Sequence, residues 1–196
     1  MSRTAHIQRN SAETKIDIKL DLDGVGAHNI ETPVPFLSHM LAQIARHGCM
    51  DLTISALGDT EIDDHHTVED VAMCLGSAVR QALGDRKGIE RFGSMKAPLD
   101  EALVEVTIDL SGRPYLVFEL DLPLAQIGTF DVSLVREFYQ ALSVKAECNL
   151  HVRKISGRNL HHIVEASFKA LALALRQATR LTRPLDMVPS TKEILD

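Results

Sequence analysis

The segment Glu13-Thr-Lys-Ile-Asp-Ile-Lys-Leu-Asp-Leu-Asp-Gly24 alternates apolar and polar residues and ends in glycine, the pattern of a half-buried strand followed by a turn. A second segment, Glu101-Ala-Leu-Val-Glu-Val-Thr-Ile-Asp-Leu-Ser-Gly112, has the same length, the same alternation, the same first Glu and the same last Gly. Such self-similarity indicates an internal duplication.

The residues after each segment repeat as well. Each predicted strand is followed by a helix, a short strand and a second helix that opens with two histidines: 36–47, 51–54 and His65-His-Thr-Val-Glu69 in the first copy, then 132–146, 149–152 and His161-His-Ile-Val-Glu165 in the second. We therefore predict an α+β fold of two strand-strand-helix-strand-helix halves, about residues 1–90 and 91–183. We predict that the halves form a single domain over 1–196 that ends in a tail at 184–196.

Composition narrows the function. The chain has 196 residues, 45% of them hydrophobic, and a net charge of −6 from 21 Lys and Arg against 27 Asp and Glu. This acidic balance disfavours nucleic acid and membrane surfaces as partners, so an anionic ligand needs a local basic pocket. The odd number of cysteines, three, fits a reducing compartment. The N-terminal residues lack the apolar core of a signal peptide, so we expect a cytoplasmic protein.

The His-His-x-x-Glu motif carries the chemistry. Successive helical residues lie about 100° apart, so an apolar stripe faces the core while His65, His66 and Glu69 share the adjacent edge. One histidine beside a core is usually structural, but here the same set occurs twice, far more often than composition predicts. Since the two histidines of a doublet diverge, we predict that each helix serves two metal ions.

Imidazoles and carboxylates without thiolates suit Mn, Fe or Zn. We predict eight ligands for two ions: His39, His65, His66, Glu69, His151, His161, His162 and Glu165. A structural zinc site is closed by four ligands, so such a surplus with open positions favours catalysis. Two helical stripes would line a pocket beside the metals, one of His39, Gln43 and His47 and the other of His161, Glu165 and Lys169.

Five motifs of the chain together resemble those of a known enzyme family. They are Leu37-Ser-His-Met-Leu41, Ile62-Asp-Asp-His-His-Thr-Val-Glu-Asp70, Gly88-Ile-Glu-Arg-Phe-Gly93, Leu110-Ser-Gly-Arg-Pro114 and Arg158-Asn-Leu-His-His-Ile-Val-Glu-Ala166. Over nearly its whole length the chain closely resembles the imidazoleglycerol-phosphate dehydratase family, hydro-lyases of histidine biosynthesis. The resemblance implies a duplicated fold like ribosomal protein S5 domain 2 and two Mn²⁺ per active site. It also implies a large homo-oligomer, expected to be a 24-mer, with sites shared between subunits.

The resemblance also assigns residues. It implies the same eight metal ligands, and substrate contacts from Glu13, Gln43, His47, Arg91, Arg113, Lys169, Ser190 and Lys192. The single domain over 1–196 would then be catalytic, and the tail 184–196 would bind substrate. Two positions depart from the family: Pro189-Ser-Thr-Lys-Glu193 stands where many relatives have Ser-Ser-Thr-Lys-Gly, and Glu137 where relatives often have His. Because His39 is the repeat counterpart of Glu137, Glu137 is not counted as a ligand.

The reaction implied is dehydration of D-erythro-imidazole-glycerol phosphate to imidazole-acetol phosphate. We hypothesise that two Mn²⁺ ions favour the imidazolate form of the ring, which expels hydroxide from the adjacent carbon to give a diazafulvene. A carboxylate then removes the next C–H proton, and the resulting enol becomes the ketone. Glu13 is the candidate base, with Glu165 or a metal-bound water as the alternative.

Three other functions remain open from the residues alone. A two-metal hydrolase would release phosphate from simple phosphomonoesters. An S5-like nucleic-acid-binding module is disfavoured by the net charge of −6 and by only six Phe, two Tyr and no Trp. Metal ions that merely join subunits would allow assembly without turnover.

Overall fold

Two consecutive α+β halves make up the protein, as a computed structural model shows for residues 3–195. The first half contains β1 (Thr4–Asn10), β2 (Thr14–Asp21), β3 (His28–Glu31), α1 (Pro35–Gly48), β4 (Asp51–Gly58) and α2 (His65–Leu83). The second contains β5 (Phe92–Leu99), β6 (Ala102–Asp109), β7 (Tyr115–Glu119), β8 (Gln126–Ile127), β9 (Phe130–Asp131), α3 (Leu134–Ala146), β10 (Asn149–Ser156) and α4 (Leu160–Thr179). The predicted duplication is confirmed. The boundary predicted near residue 90 falls in the connection 84–91, whereas residues 1, 2 and 196 of the predicted domain lie outside the described range.

Each half forms a four-stranded sheet with the same topology, in the order β1-β2-β4-β3 and then β5-β6-β10-β7. The first three strands of each sheet are antiparallel, and the last pair, β4 with β3 or β10 with β7, is parallel. The strands β3 and β7 were not predicted. Both are short edge strands without a clean alternation of buried and exposed residues, so their sequences carry little strand signal.

The helices pair across the two halves. Helix α2 covers β1 and β2 and packs on α3, whereas α4 covers β5 and β6 and packs on α1. The predicted apolar stripes of α2 and α4 form the contact with the sheets: Val68, Ala72, Leu75, Val79, Val164, Phe168, Leu171 and Leu175 are all buried. Each helix pair therefore contains one helix from each half. None of the helices within residues 3–195 has the length and apolar character that a bilayer crossing requires.

An aromatic cluster joins α3 to α4 inside the second half. The ring of Phe168 lies 4.9 Å from that of Phe138 and 5.5 Å from that of Tyr139, measured between centroids. Tyr139 is completely buried, and its hydroxyl donates a hydrogen bond to Oγ of Ser167 at 3.1 Å. This packing fixes the rotation of α4, and hence the direction in which its histidines point.

Candidate active site

Three of the predicted metal ligands meet where α1 packs on α4. The Nε2 atom of His39 lies 3.1 Å, and that of His161 3.0 Å, from Oε2 of Glu165. One donor atom from each residue lies within 4.8 Å of those of the other two. Two imidazole nitrogens and a carboxylate oxygen at this spacing form a group able to bind a divalent transition metal.

The charge of Glu165 is balanced within the site. Its side chain is only 12% exposed, and its second oxygen, Oε1, accepts from Nζ of Lys169 at 2.8 Å. Burial raises the pKa of Glu165, but hydrogen bonds from Lys169, His39 and His161 outweigh it and lower the pKa to about 2. Glu165 is therefore ionised at neutral pH, the form in which a carboxylate binds a metal.

The two predicted stripes face each other along the same helix pair. Next to the triad on α1, Nε2 of His47 lies 3.1 Å from Oε1 of Gln43. Burial lowers the pKa of His47, and the nearby Lys169 lowers it further. His39, Gln43 and His47 on α1 thus border the same region as Glu165 and Lys169 on α4.

The two histidines of each doublet diverge, as predicted. Nε2 of His161 lies 3.0 Å from Oε2 of Glu165, whereas Nδ1 of His162 lies 2.8 Å from Oε2 of Glu101. At the start of α4, the side chain of Asn159 accepts hydrogen bonds from the backbone N–H groups of both histidines, at 3.0 and 3.4 Å. One helix start therefore directs its two imidazoles to different places.

The second histidine of each doublet has carboxylate partners. Nδ1 of His66 lies 3.0 Å from Oδ2 of Asp59, and its Nε2 lies 3.9 Å from Oε1 of Glu13. Nδ1 of His162 lies 2.8 Å from Oε2 of Glu101. His162 and the backbone N–H groups of Asn159 and Arg158 lower the pKa of Glu101 to about 2.

The remaining predicted ligands lie elsewhere. His65 borders a cavity of about 460 Å³ beside the β8–β9 hairpin, together with Asp63, Asp64 and Asp131. Glu69 lies one turn further along α2, half-buried. His151 lies on the face of its sheet that the helices leave open, since its neighbours in β10, Leu150 and Val152, are the buried ones. In the part of the chain that the structure describes, the group around Glu165 is the one that gathers three metal-binding side chains.

Four of the predicted substrate contacts share a second cavity, of about 600 Å³, between the tail and the second sheet, whereas Lys169 lies beside Glu165. Arg91, Arg113, Ser190 and Lys192 all line that cavity, as does Arg183, which the sequence analysis did not select. Nε and Nη2 of Arg91 donate to the carboxylate of Asp109 at 2.7 and 3.0 Å, and Nη1 donates to the carbonyl of Pro189 at 2.9 Å. Arg91 thereby attaches the tail to the sheet.

Asp59 and Glu101 were also not selected from the sequence. Both are acidic residues in turns, where carboxylates are common for solubility and turn formation, so each alone reads as a surface residue. Their positions gave some indication, because Glu101 is the repeat counterpart of the selected Glu13 and Asp59 precedes a doublet by only a few residues.

The fold and the site together define a duplicated α+β enzyme with a site of histidines and glutamates.

Comparisons with known proteins identify the family. The family model of imidazoleglycerol-phosphate dehydratase matches residues 32–175. The imidazoleglycerol-phosphate dehydratase of Trichlorobacter lovleyi is 54% identical over 195 residues, which cover 100% of both chains. The solved structure of the enzyme from Staphylococcus aureus has a TM-score of 0.83 at 38% identity and covers 91% of this chain and 99% of its own. The solved structure of the enzyme from Pyrococcus furiosus has a TM-score of 0.84 at 36% identity and covers 96% of this chain and 100% of its own. The chain belongs to the imidazoleglycerol-phosphate dehydratase family and is a hydro-lyase.

Proposed function

We propose that this chain dehydrates D-erythro-imidazole-glycerol phosphate to imidazole-acetol phosphate in histidine biosynthesis, with two Mn²⁺ ions at each active site. Membership of the dehydratase family supports the reaction. The observation that carries the proposal is the convergence of His39, His161 and Glu165 from the two halves of the chain. These residues provide the nitrogen and oxygen donors that a substrate-binding transition metal needs.

The donor set fits the proposed metal. Mn²⁺ accepts imidazole and carboxylate ligands, and the group around Glu165 consists of two imidazoles and one carboxylate. Three donors from one chain leave coordination positions for the substrate and for further protein ligands. The other five predicted ligands, His65, His66, Glu69, His151 and His162, would supply those positions from neighbouring subunits.

Metal ions held by this donor set would supply positive charge that stabilises the anionic form of the substrate's imidazole ring. The reaction breaks the C–O bond on the carbon next to the ring and the C–H bond on the following carbon, and water leaves overall. Glu165, held by Lys169, keeps its carboxylate oriented toward His39 and His161. The chain must also supply a base for the C–H proton.

Glu13 is the better candidate for that base. Its side chain is 52% exposed, and its Oε1 lies 3.9 Å from Nε2 of His66. Its repeat counterpart, Glu101, already accepts three hydrogen bonds, from His162, Arg158 and Asn159. Glu165 likewise accepts three, and it is also a predicted metal ligand. Of these three glutamates, Glu13 is therefore our candidate for the base.

The geometry of α4 supports a site shared between subunits. The triad lies near the start of α4, whereas the backbone N–H of Arg91, beside the basic cavity, donates to the carbonyl of Ala178 near its end. At 1.5 Å per residue, Glu165 and Ala178 are about 20 Å apart along the helix axis. A substrate with three carbons between ring and phosphate is far shorter than this. The basic cavity of one subunit would therefore serve the metal centre of another, in a homo-oligomer for which we propose 24 subunits.

We also propose that the enzyme acts in the cytoplasm. All three cysteines are free thiols, and Cys74 and Cys148 are buried. Free thiols persist in a reducing compartment, which supports the proposal.

The test is turnover by the protein loaded with Mn²⁺. Purified protein is incubated with imidazole-glycerol phosphate, and the ketone product is followed by its enol absorbance at alkaline pH. Glu13→Gln should lower kcat by about 10²–10⁴-fold if Glu13 is the base. Turnover by wild type with unchanged turnover by the variant would remove Glu13 from the mechanism. Absence of the ketone with wild type, or release of phosphate from simple phosphomonoesters, would refute the proposed reaction.

A further inference from the structure

The second histidine of each doublet is held in the same way. In the first half, Nδ1 of His66 contacts both oxygens of Asp59, at 3.2 and 3.0 Å. In the second half, Nδ1 of His162 contacts Oε2 of Glu101 at 2.8 Å. In both cases the bound nitrogen is Nδ1, so that Nε2 points away from the anchoring carboxylate.

The two anchors come from different places in the fold. Asp59 follows the last residue of β4, whereas Glu101 lies in the turn between β5 and β6. The duplication therefore did not simply copy one residue pair, because the repeat counterpart of Glu101 is Glu13, which faces Nε2 of His66 instead. Two unrelated carboxylates reach the same ring atom at equivalent positions of the repeat. This convergence indicates a function that both halves require.

We infer that Asp59 and Glu101 are positioning residues that hold His66 and His162 with Nδ1 protonated and Nε2 directed at a metal ion. The inference rests on the proposed metal-dependent function. A carboxylate that accepts from Nδ1–H fixes the tautomer of the ring, leaves the lone pair on Nε2 and makes that nitrogen a better donor. Without the anchor, the ring can rotate and either nitrogen can carry the proton.

Both anchors are themselves fixed. The side chain of Asp59 is only 14% exposed, and its backbone N–H donates to the carbonyl of Glu13 at 3.1 Å. The other oxygen of Glu101, Oε1, accepts from the backbone N–H groups of Arg158 and Asn159 at 3.0 and 2.8 Å. Glu101 thus ties the β5–β6 turn to the residues that start α4. Because both carboxylates are held in place, each fixes the orientation of the imidazole that it contacts.

A surface pair shows what an ordinary contact of this kind looks like. His6 and Asp17 lie on the neighbouring strands β1 and β2, and Oδ2 of Asp17 contacts Nε2 of His6 at 2.9 Å. This pair uses the other ring nitrogen, and its side chains are 48% and 35% exposed. Asp17→Asn is therefore a matched control, since it changes a histidine–carboxylate pair outside the predicted ligand set.

The experiment compares Asp59→Asn, Asp59→Ala, Glu101→Gln, Glu101→Ala and Asp17→Asn with wild type. Mn²⁺ affinity is measured by titration, with free Mn²⁺ followed by electron paramagnetic resonance. The two Ala variants should bind Mn²⁺ about 10–100-fold more weakly, whereas the Asn and Gln variants keep an accepting oxygen and should lose less. The single amide oxygen of Glu101→Gln can accept from His162 or from the N–H groups of Arg158 and Asn159 but not from both, so the thermal stability of this variant, measured beside its Mn²⁺ affinity, separates anchoring from folding of the α4 start.

A second measurement does not depend on metal. Solid-state ¹⁵N NMR of the histidines in metal-free protein should show Nδ1-protonated rings for His66 and His162 in wild type and in Asp17→Asn, and mixed tautomers in the Ala variants. Unchanged affinity and unchanged tautomers in the folded Ala variants would overturn the inference while leaving the proposed function intact. If wild type bound no Mn²⁺ and made no ketone, the proposed function would fail, and the inferred role toward a metal with it.

Discussion

Nε2 of His39 lies 3.1 Å from Oε2 of Glu165, although 126 positions of sequence separate the two residues. His39 belongs to the first half and Glu165 to the second. They meet because α1 packs on α4, so each half contributes a helix to the other half's packing. The duplication thus completes the candidate metal site, since His39 of α1 adds a third donor to His161 and Glu165 of α4.

Replacing Glu165 tests this relationship directly. Glu165→Gln keeps the size of the side chain but removes the charge that His39, His161 and Lys169 surround. Loss of an outer-shell partner already weakens metal binding by about 10–100-fold, so loss of a ligand charge should cost at least about 100-fold in Mn²⁺ affinity. The measurement is a Mn²⁺ titration, with turnover measured on the same samples.

The matched control for Glu165 is Glu137→Gln. Glu137 occupies the position on α3 that corresponds to His39 on α1, and its carboxylate pairs only loosely with Arg136, at 3.5 Å. We expect the Mn²⁺ affinity of the Glu137→Gln variant to equal that of wild type. Equal losses in both variants would mean that the effect is one of overall charge and not of ligation.

Metal removal should lower thermal stability. Mn²⁺ binds the folded site and has no preformed site in the unfolded chain, so at a free concentration of 100 times Kd it should add about 2.7 kcal/mol. For a domain of this size that corresponds to a rise in Tm of roughly 5–10 °C. Differential scanning fluorimetry with Mn²⁺ and then with excess EDTA checks this. A Tm that does not respond to either addition would contradict metal binding by the folded protein.

The sequence predicted the fold well where periodicity is strong. The strands containing Ile16, Ile18 and Leu20, and Val104, Val106 and Ile108, alternate strictly, and the helices that begin at the doublets carry apolar stripes. The edge strands β3 and β7 were missed because they are short and contain no fully buried residue. Sequence periodicity reports burial, so an element that buries little leaves little trace.

The site was predicted by residue type but not by arrangement. The doublets identified the imidazoles and the glutamates as candidate ligands, and the helical spacing correctly predicted that neighbouring histidines reach different partners, as His161 reaches Glu165 and His162 reaches Glu101. The contact of His39 with Glu165 depends on which helix packs on which, and the anchoring of His162 by Glu101 depends on the path of a turn. Neither follows from spacing within one helix, because both are set by tertiary packing.

Acid should weaken a turn in the first half. The backbone N–H groups of Val25 and Ala27 donate to Oδ1 of Asp51 at 2.8 and 2.9 Å and lower the pKa of that carboxyl. A lowered pKa means that Asp51 stabilises the fold above its unfolded pKa of about 3.9 and ceases to do so as the pH falls through its folded pKa. Urea unfolding should therefore show Asp51→Asn less stable than wild type at pH 7, with the difference shrinking below pH of about 4. A difference that is constant with pH would exclude the charge of Asp51 as the cause.

The buried hydroxyl of Tyr139 should contribute measurably to stability. It donates to Oγ of Ser167 at 3.1 Å, and that hydroxyl in turn donates to the carbonyl of Val164 at 2.6 Å. Tyr139→Phe removes one buried hydrogen bond while keeping the ring packed, at a cost of about 1 kcal/mol and about 2–4 °C in Tm. Tyr115, the other tyrosine, is 63% exposed, and Tyr115→Phe is the control, expected to leave Tm unchanged. Equal Tm values for the two variants would show that the buried bond contributes nothing net.

Lys192 should matter for substrate binding and not for the chemical step. It lines the basic cavity with Arg113 and Arg183, about 20 Å along α4 from the triad of the same chain. The phosphate takes part in neither of the bonds that break, so Lys192→Ala should remove binding common to the ground and transition states and raise KM about tenfold with little change in kcat. Lys87→Ala removes the same charge from an exposed lysine outside that cavity, paired with Asp85 at 2.9 Å, and should leave both constants unchanged. Steady-state kinetics decide between the outcomes: a fall in kcat at constant KM would assign Lys192 to the reaction, and no change in either constant would remove it from the site.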